Sequence, residues 1–472
     1  MRKTKIICTI GPASDSEEVM RELFRAGMNT GRFNFSHGDY AQHERNIARF
    51  RKVRDELGVP AAVLLDTKGP EIRVKDFKDG KVMLRDGQPF TLTTREVMGD
   101  ENRVSVTFDG FAKDLSPHNR VLIDDGKISL DVREVTDTDV ICEVIHGGAV
   151  SNHKGINVPN VSISLPFMSE KDKADLLFGI ENGVDYIAAS FTRTAEDVRE
   201  MRHFLDINGG KDIRILSKIE STQGVENFEE ILKESDGIMI ARGDMGVELS
   251  YEQLPGIQKR FIKRCEQSGK LVITATQMLE SMIENPRPTR AETTDVANAV
   301  FDGTSAVMLS GETAAGKYPV EAVRAMARIA AQADRDLIQM KSRTPQWHEM
   351  DVKDTTNAVA HAACTLADDT QAQAIVAVTM SGFTARRTAK FRPDVQIIGA
   401  TPNQKAYHQM ALEWGIEPLL SLQKDRLLEL IRHVAEVAID RGIIHEGAML
   451  VVTAGIPLGK SGDTNMIRII QA

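Results

Sequence analysis

Lys218 and Glu220 stand two residues apart in "IRILSKIESTQG" (213–224), a stretch that begins as a buried strand with Ile213, Ile215 and Leu216. Residues two apart on a strand point to the same face, so the two charges share one face at the end of a core strand. An ion pair inside a fold seldom stabilises it once desolvation is counted, so a functional reason is preferred. A second carboxylate, Asp244, lies at the end of the next strand-like segment, "DGIMIARGD" (236–244). Two carboxylates with water filling the remaining positions suit Mg²⁺ or Mn²⁺, and the absence of His or Cys beside them argues against zinc. Lys218 and Arg32 would then be cations facing a bound anion. Two cations and a divalent metal point to a phosphoryl group whose charge must be balanced during transfer. The turn "ARGDMG" adds backbone N–H groups that could meet a carboxylate or phosphate, though an ordinary glycine turn is an equal reading.

These residues need a scaffold that brings distant segments together. Short apolar runs alternate with amphipathic helical patterns: 5–11, 29–35, 61–67, 185–191, 213–220, 236–244, 271–277 and 305–312 are the strand candidates. The helical segment "YEQLPGIQKRFIKRCEQSG" ends in Gly269, a plausible C-cap. Alternation of this kind implies a parallel sheet, and eight units match a TIM (β/α)8 barrel, whose active site lies at the C-terminal ends of its strands. Polar residues collect at those ends: Arg32, Asn34 and Ser36; Asp66 and Thr67; Lys218 and Glu220; Arg242 and Asp244; Thr274, Thr276 and Gln277; Ser310, Gly311 and Glu312. One such residue would be merely solvated; six strands ending alike indicate a site.

The texture changes between about Pro70 and Pro166, where helical periodicity gives way to short alternating strands and Gly/Asp turns. This reads as a small β-barrel domain inserted in a barrel loop. After Ala330 the polar stretch "KSRTPQWHEMDVKDTT" reads as a linker, followed by another α/β alternation. The expected division is a barrel at 1–69 and 168–340, an inserted β lid at 70–167, and a C-terminal α/β domain at 341–472.

Composition fits this picture. With 59 basic and 68 acidic residues the net charge is -9, unlike a nucleic-acid-binding surface. Four scattered cysteines form neither a CxxC pair nor a disulfide framework and fit a reducing cytosol. No signal peptide is evident, and no apolar run approaches the roughly 18 residues a membrane span needs.

At this point several long motifs, in order, resemble the signatures of pyruvate kinases: "SKIESTQG" (217–224), "NFSHGD" (34–39), "LLDTKGPEIR" (64–73), "IMIARGDMGVE" (238–248), "TATQMLESM" (274–282), "NPRPTRAE" (285–292) and "MLSGETAAGKYP" (308–319). The resemblance runs through the whole chain. It implies phosphoryl transfer from phosphoenolpyruvate to ADP, giving pyruvate and ATP. It further implies that Lys218 balances charge on the transferring group and that Arg32 contacts it. Glu220 and Asp244 would hold Mg²⁺. Gly243, Asp244 and Thr276 would flank the pyruvate moiety, with Thr276 near the face where the enolate is protonated. Asn34, Ser36, Asp66 and Thr67 look like the family's K⁺ site. Asn34, His37, Arg73 and Lys154 match nucleotide contacts. The family's sugar-phosphate effector segment corresponds to Thr379, Ser381, Gly382 and Thr384, with Arg386, Arg387 and Lys390 adding positive charge and a Gly-rich loop, 453–465, closing over the ligand. The effector could be fructose 1,6-bisphosphate or a monophosphate such as ribose 5-phosphate. A cytoplasmic homotetramer is implied.

Two departures stand out. Thr30 and Gly31 precede Arg32 where the family more often has bulkier apolar residues, so Gly31 is expected to loosen the strand and hold Arg32 less firmly. The chain ends soon after "TNMIRIIQA", which implies that it lacks the extra C-terminal domain some bacterial relatives carry. Three other readings stay open on residues alone: a metal-dependent TIM-barrel aldolase, a non-catalytic sugar-phosphate sensor, and a structural assembly protein.

Overall fold

The computed structural model describes residues 2–340, 354–423, 426–459 and 462–472. Eight parallel strands close a barrel: β1 (Lys5–Thr9), β2 (Thr30–Asn34), β3 (Ala62–Asp66), β4 (Tyr186–Ala189), β5 (Arg214–Ile219), β6 (Gly237–Ala241), β7 (Leu271–Ala275) and β8 (Ala306–Leu309). Each pairs with its sequence neighbour, and β8 pairs back to β1. Alternation divides the side chains. Ile7, Leu64, Ala188, Leu216 and Met239 fill the bore, while Ile6, Cys8, Val63, Ile187 and Ile215 pack against the surrounding helices. The helix Leu254–Ser268 ends on Gly269, whose left-handed φ of 64° closes it without a Cβ penalty.

Between β3 and β4 lies a mainly antiparallel seven-stranded sheet around its own core, which includes Phe90, Val104, Leu130 and Val140. Buried residues alternate along its strand Asp139–His146, the pattern of a strand with one face on a core. Its two outer strands, Ile72–Arg73 and Arg103–Ser105, are drawn together by an antiparallel bridge between Val74 and Val106. A one-turn helix, Phe111–Asp114, interrupts the strands that the sequence suggested throughout.

The C-terminal sheet contains β9 (Ala374–Val378), β10 (Gln396–Thr401), β11 (Ile416–Leu420), β12 (Met449–Ala454) and β13 (Met466–Gln471), in the order β11-β10-β9-β12-β13. All neighbours are parallel except β12 and β13. Leu412 from this part of the chain joins the bore residues, and the Tyr186 hydroxyl donates to the Gln409 carbonyl at 2.8 Å. The second α/β unit thus caps the end of the barrel where β4 begins. The helix Pro319–Met340 leads out of the barrel, and most of the expected linker, 341–353, lies outside the described residues. No helix among the described residues is long and apolar enough to cross a membrane.

Candidate active site

The alternation that turns Leu216 into the bore also turns Lys218 and Glu220 inward, and their charges meet with 2.9 Å between Nζ and Oε1. Lys218 also lies 3.2 Å from Asp66 Oδ1 and donates to Ser190 Oγ at 2.8 Å. Arg32 reaches the same carboxylate from β2: Nε donates to Asp66 Oδ2 at 2.6 Å, and Nη1 donates to Thr9 Oγ1 at 2.9 Å. Two cations and two carboxylates therefore interlock at the C-terminal ends of β2, β3 and β5.

Burial and charge set the protonation of this group. Burial opposes ionisation of Asp66, yet the Arg32 and Lys218 charges outweigh it and hold the carboxyl below its usual range. Burial likewise opposes the Lys218 charge, but Asp66 and Glu220 hold the ammonium above its ordinary value. Glu220 differs. Burial pushes its carboxyl up to about 8; Lys218 pulls against the shift and Asp244 adds to it. Its Oε2 accepts from the Phe191 N–H at 2.6 Å, while its buried Oε1 has the Lys218 ion pair but no well-directed hydrogen bond. A buried carboxylate so short of partners fits a cation ligand. No cluster of three or more His, Cys, Asp or Glu side chains suited to a metal occurs among the described residues. A metal held by Glu220 and Asp244 would take its remaining ligands from water or substrate.

Thr276 and Gln277 both adopt left-handed backbone, with φ of 68° and 53°. This sharp exit from β7 lets Thr276 Oγ1 accept from the Gly243 N–H at 2.7 Å and donate to the Ala275 carbonyl at 2.7 Å. The expected Gly turn at 241–246 is instead the start of a helix, Arg242–Glu248. Arg242 turns away to a two-pronged pair with Asp295, both contacts at 2.7 Å. Thr274 is also diverted, bonding Thr304 on the helix side of the sheet. Glu312 accepts from the Leu279 and Ser310 N–H groups, which gives it a loop-holding role.

Asn34 Oδ1 accepts from the Ser36 N–H at 3.1 Å, and His37 is exposed. Thr67 is bracketed by Ser190, whose N–H donates to Thr67 Oγ1 at 3.2 Å and whose hydroxyl donates to the Thr67 carbonyl at 2.6 Å. Above lies a cleft of about 590 Å³ between the barrel and the inserted sheet, lined by Glu71, Arg73, Lys154 and Asp244 among others. Arg73 is engaged by Glu71 Oε2 at 2.6 and 2.9 Å, and Lys154 by Asp124 at 2.8 Å. Asn157 Nδ2 donates to Glu248 Oε1 at 3.1 Å, joining the inserted sheet to the barrel beside the cleft.

Gly31 does not loosen β2. It stays in register with Cys8 and Val63, and the Phe50 ring occupies the place of a side chain: a Cβ on Gly31 would lie 2.6 Å from Phe50 Cε2. Packing demands the glycine, and Asp66 and Thr9 hold Arg32 firmly. Ser190 and Thr9 escaped the sequence reading. The inward series Tyr186, Ala188, Ser190 carried the signal for the first, since its polar member stands where the strand ends.

A second cavity, about 210 Å³, lies at the ends of the C-terminal strands. Thr379 and Thr384 line it with Gly455 and Asp463, and Thr384 Oγ1 lies 3.0 Å from Thr464 Oγ1. Ser381 and Gly382 stand beside it; the Ser381 carbonyl accepts from Arg214 at 3.1 Å and Arg386 at 3.0 Å. The expected positive charge is absent from the described lining. Arg386 is half-buried and lies toward Glu413, Arg387 covers the Phe383 ring at 5.1 Å, and Lys390 lies over Phe391. On and just after the short helix Phe383–Ala389 these side chains are engaged by the Ser381 carbonyl, Glu413 and two aromatic rings, and none of the three is among the cavity's lining residues. Lys460 and Ser461, within the Gly-rich loop, lie outside the described residues.

Known proteins match this architecture throughout. The family model for the pyruvate kinase barrel domain matches residues 1–323, and that for the pyruvate kinase alpha/beta domain matches 357–470. The chain is 48% identical over 470 residues to a pyruvate kinase of Clostridium acetobutylicum, covering 99% of each chain. It is 47% identical to a pyruvate kinase of Staphylococcus saprophyticus, covering 99% of this chain and 80% of that one. A crystal structure of a pyruvate kinase from Cryptosporidium parvum superposes with a TM-score of 0.94 at 35% identity, covering 100% of this chain and 96% of the other. The interlocked charges at the strand ends therefore sit in a chain whose barrel and terminal sheet both match one set of relatives, and that chain belongs to the pyruvate kinase family of phosphotransferases.

Proposed function

We propose that the chain transfers the phosphoryl group of phosphoenolpyruvate to ADP, giving pyruvate and ATP in cytoplasmic glycolysis, with Mg²⁺ (or Mn²⁺) and K⁺ as its ions. Metal dependence is general in the family; the identity of the ions is our reading. The observation that carries it is the buried set of Arg32, Lys218, Asp66 and Glu220 beneath the cleft. Lys218 and Arg32 face the transferring phosphoryl group and offset its charge. Glu220 and Asp244 would hold the divalent cation, which when bound supplies further positive charge beside that group. The Asp244 N–H orients the substrate carboxylate, while Thr276, which accepts from the Gly243 N–H, stands at the enolate face.

Asn34, Ser36, Asp66 and Thr67 offer the hard oxygen atoms that suit K⁺. Both Asp66 oxygens already meet cations or hydroxyls, so this carboxylate would serve the phosphoryl and monovalent sites together. Asn34, His37, Arg73 and Lys154 receive the nucleotide, and residues 70–167 act as a lid over it, with 1–69 and 168–340 as the catalytic barrel. Residues 341–472 regulate a homotetramer through a sugar phosphate at Thr379, Ser381, Gly382 and Thr384. Coupling pyruvate formation to NADH oxidation, with ADP, divalent ion and K⁺ each omitted in turn, tests the core of the proposal. Pyruvate release that needs no ADP would overturn it.

A further inference from the structure

The loop leaving β2 carries Asn34, Ser36 and His37, and two side chains from outside the bore hold its backbone. Lys171 Nζ donates to the Phe35 carbonyl at 3.2 Å while paired with Asp175 at 2.7 Å. His43 belongs to the first turn of the helix Tyr40–Glu56, which Asp39 caps by accepting from the Gln42 N–H at 2.8 Å. Its ring reaches back beneath the loop, with Nε2 2.8 Å from the His37 carbonyl oxygen. A carbonyl can only accept, so Nε2 carries the proton in this contact. The ring is buried and lies nearly parallel to Phe35, with centroids 4.0 Å apart and planes 9° apart. Between them the chain turns at Gly38, whose φ is 77°; a Cβ there would lie 2.8 Å from Gln42 Oε1 and 3.4 Å from His43 Nε2. The capped helix, the glycine turn and the stacked ring leave the His37 carbonyl one orientation.

We infer that His43 is a positioning residue: by fixing the His37 carbonyl it pre-orders the Asn34–His37 loop and so sets the affinities for the monovalent cation and the nucleotide without touching either. The inference rests on the assignment of Asn34, Ser36 and His37 given above. A ligand that must order its own site binds more weakly by the cost of that ordering. Losing the bond should therefore act on the two affinities rather than on the rate at saturation. Lys171 keeps its grip on Phe35, so only the far end of the loop is released.

The variants His43→Phe and His43→Gln separate the parts. Phenylalanine keeps a ring for Phe35 and loses the hydrogen bond; glutamine places an amide N–H near the former Nε2. The K⁺ activation constant, the KM for ADP, kcat at saturation and the melting temperature are measured for each. We expect His43→Phe to raise both constants about two- to twelvefold, the range one net hydrogen bond covers, with kcat at saturation near wild type. His43→Gln should restore much of the difference. Unchanged constants in a folded His43→Phe, or equal losses in both variants, would overturn the inference. Should His43→Phe fail to fold, His43→Asn, too short to reach the carbonyl, takes its place with the same expected outcome. A wild-type protein indifferent to K⁺ would instead refute the loop assignment, and the inference would fall with it.

Discussion

Lys218→Met removes one charge from the end of β5 and keeps most of the apolar stem. Arg32 and Lys218 face Asp66 and Glu220, and because burial pushes the Glu220 carboxyl up to about 8, the set carries a net positive charge near neutral pH before any ligand arrives. The substitution removes one positive charge from beside an incoming phosphoryl group. A unit charge at about 4 Å, through an effective dielectric near 20, is worth roughly 4 kcal/mol. Each ~1.4 kcal/mol is tenfold in rate, so the expected loss is about three powers of ten in kcat. That lies at the top of the range, about 10²–10³, for one preorganised electrostatic group. Stability should suffer less than the ~3–5 kcal/mol typical of a broken buried pair. Asp66 keeps Arg32, and Glu220, already pushed up to about 8, holds its proton more tightly once its cation is gone. The assay is the initial rate of pyruvate formation at saturating substrates and ions, with thermal melts and divalent-ion titrations on the same samples. A folded variant within tenfold of wild-type kcat would refute the charge argument.

Glu220→Gln should raise the divalent concentration needed for activity at least tenfold. In the wild type the cation must displace the Glu220 proton, whose pKa is raised by burial to about 8. Apparent Mn²⁺ affinity should therefore strengthen as pH rises toward 8 and then level off, and an equally steep pH dependence in the variant would refute the ligand assignment. Activity should exceed that in Na⁺ when K⁺ is supplied, and Glu71→Lys should reduce this preference by bringing its own ammonium. Because Glu71 holds Arg73, the same change should raise the KM for ADP; full activity of wild type without K⁺ would sink the site. Thr384→Glu, which puts a carboxylate against the C-terminal cavity, should abolish any sugar-phosphate activation seen at subsaturating phosphoenolpyruvate. No response of the wild type to any sugar phosphate would refute the effector assignment. Gly31→Val should lower stability by about 1–3 kcal/mol through overpacking against Phe50, with partial recovery in the Phe50→Leu background; an unchanged melt would contradict the packing.

What could be read from the sequence divides by physical origin. Short apolar runs and the two-residue strand period are local, so the eight barrel strands, the inward turn of Lys218 and Glu220, and the C-terminal α/β alternation were legible without a fold. The roles of strand-end residues were less so, because the same residue type serves two purposes there. Arg242 and Glu312 occupy positions as promising as Arg32 and Glu220. Apart from the neighbouring Ser310 N–H, their partners, Asp295 and the Leu279 N–H, lie 53 and 33 positions away, and no spacing rule brings them near. Gly31 shows the same limit in reverse. Its local meaning is a weak strand, but its actual partner is Phe50, nineteen positions along by the numbering and on the next helix, and the close approach of that ring makes the glycine necessary.

The basic residues after Gly382 show why charge counted along a sequence overstates a binding site. Arg386, Arg387 and Lys390 follow a strand end, where free N–H groups and nearby cations would favour a phosphate. On a helix this short, all three are within reach of neighbours that compete for them. Arg386 is taken by the Ser381 carbonyl and lies toward Glu413, and its burial beside Arg214 lowers its pKa to about 10. The other two cover aromatic rings. The polar part of the described lining is left with threonine hydroxyls, the Gln423 amide, backbone groups and the Asp463 carboxylate. An anion held there would rest on N–H and O–H donors rather than on these three cations. Its affinity should therefore depend less steeply on salt than a lysine- and arginine-lined site would, and neutralising Arg387 should leave effector binding nearly unchanged. A tenfold loss in Arg387→Gln, measured by titrating the activating sugar phosphate, would show that the guanidinium leaves Phe383 to meet the ligand.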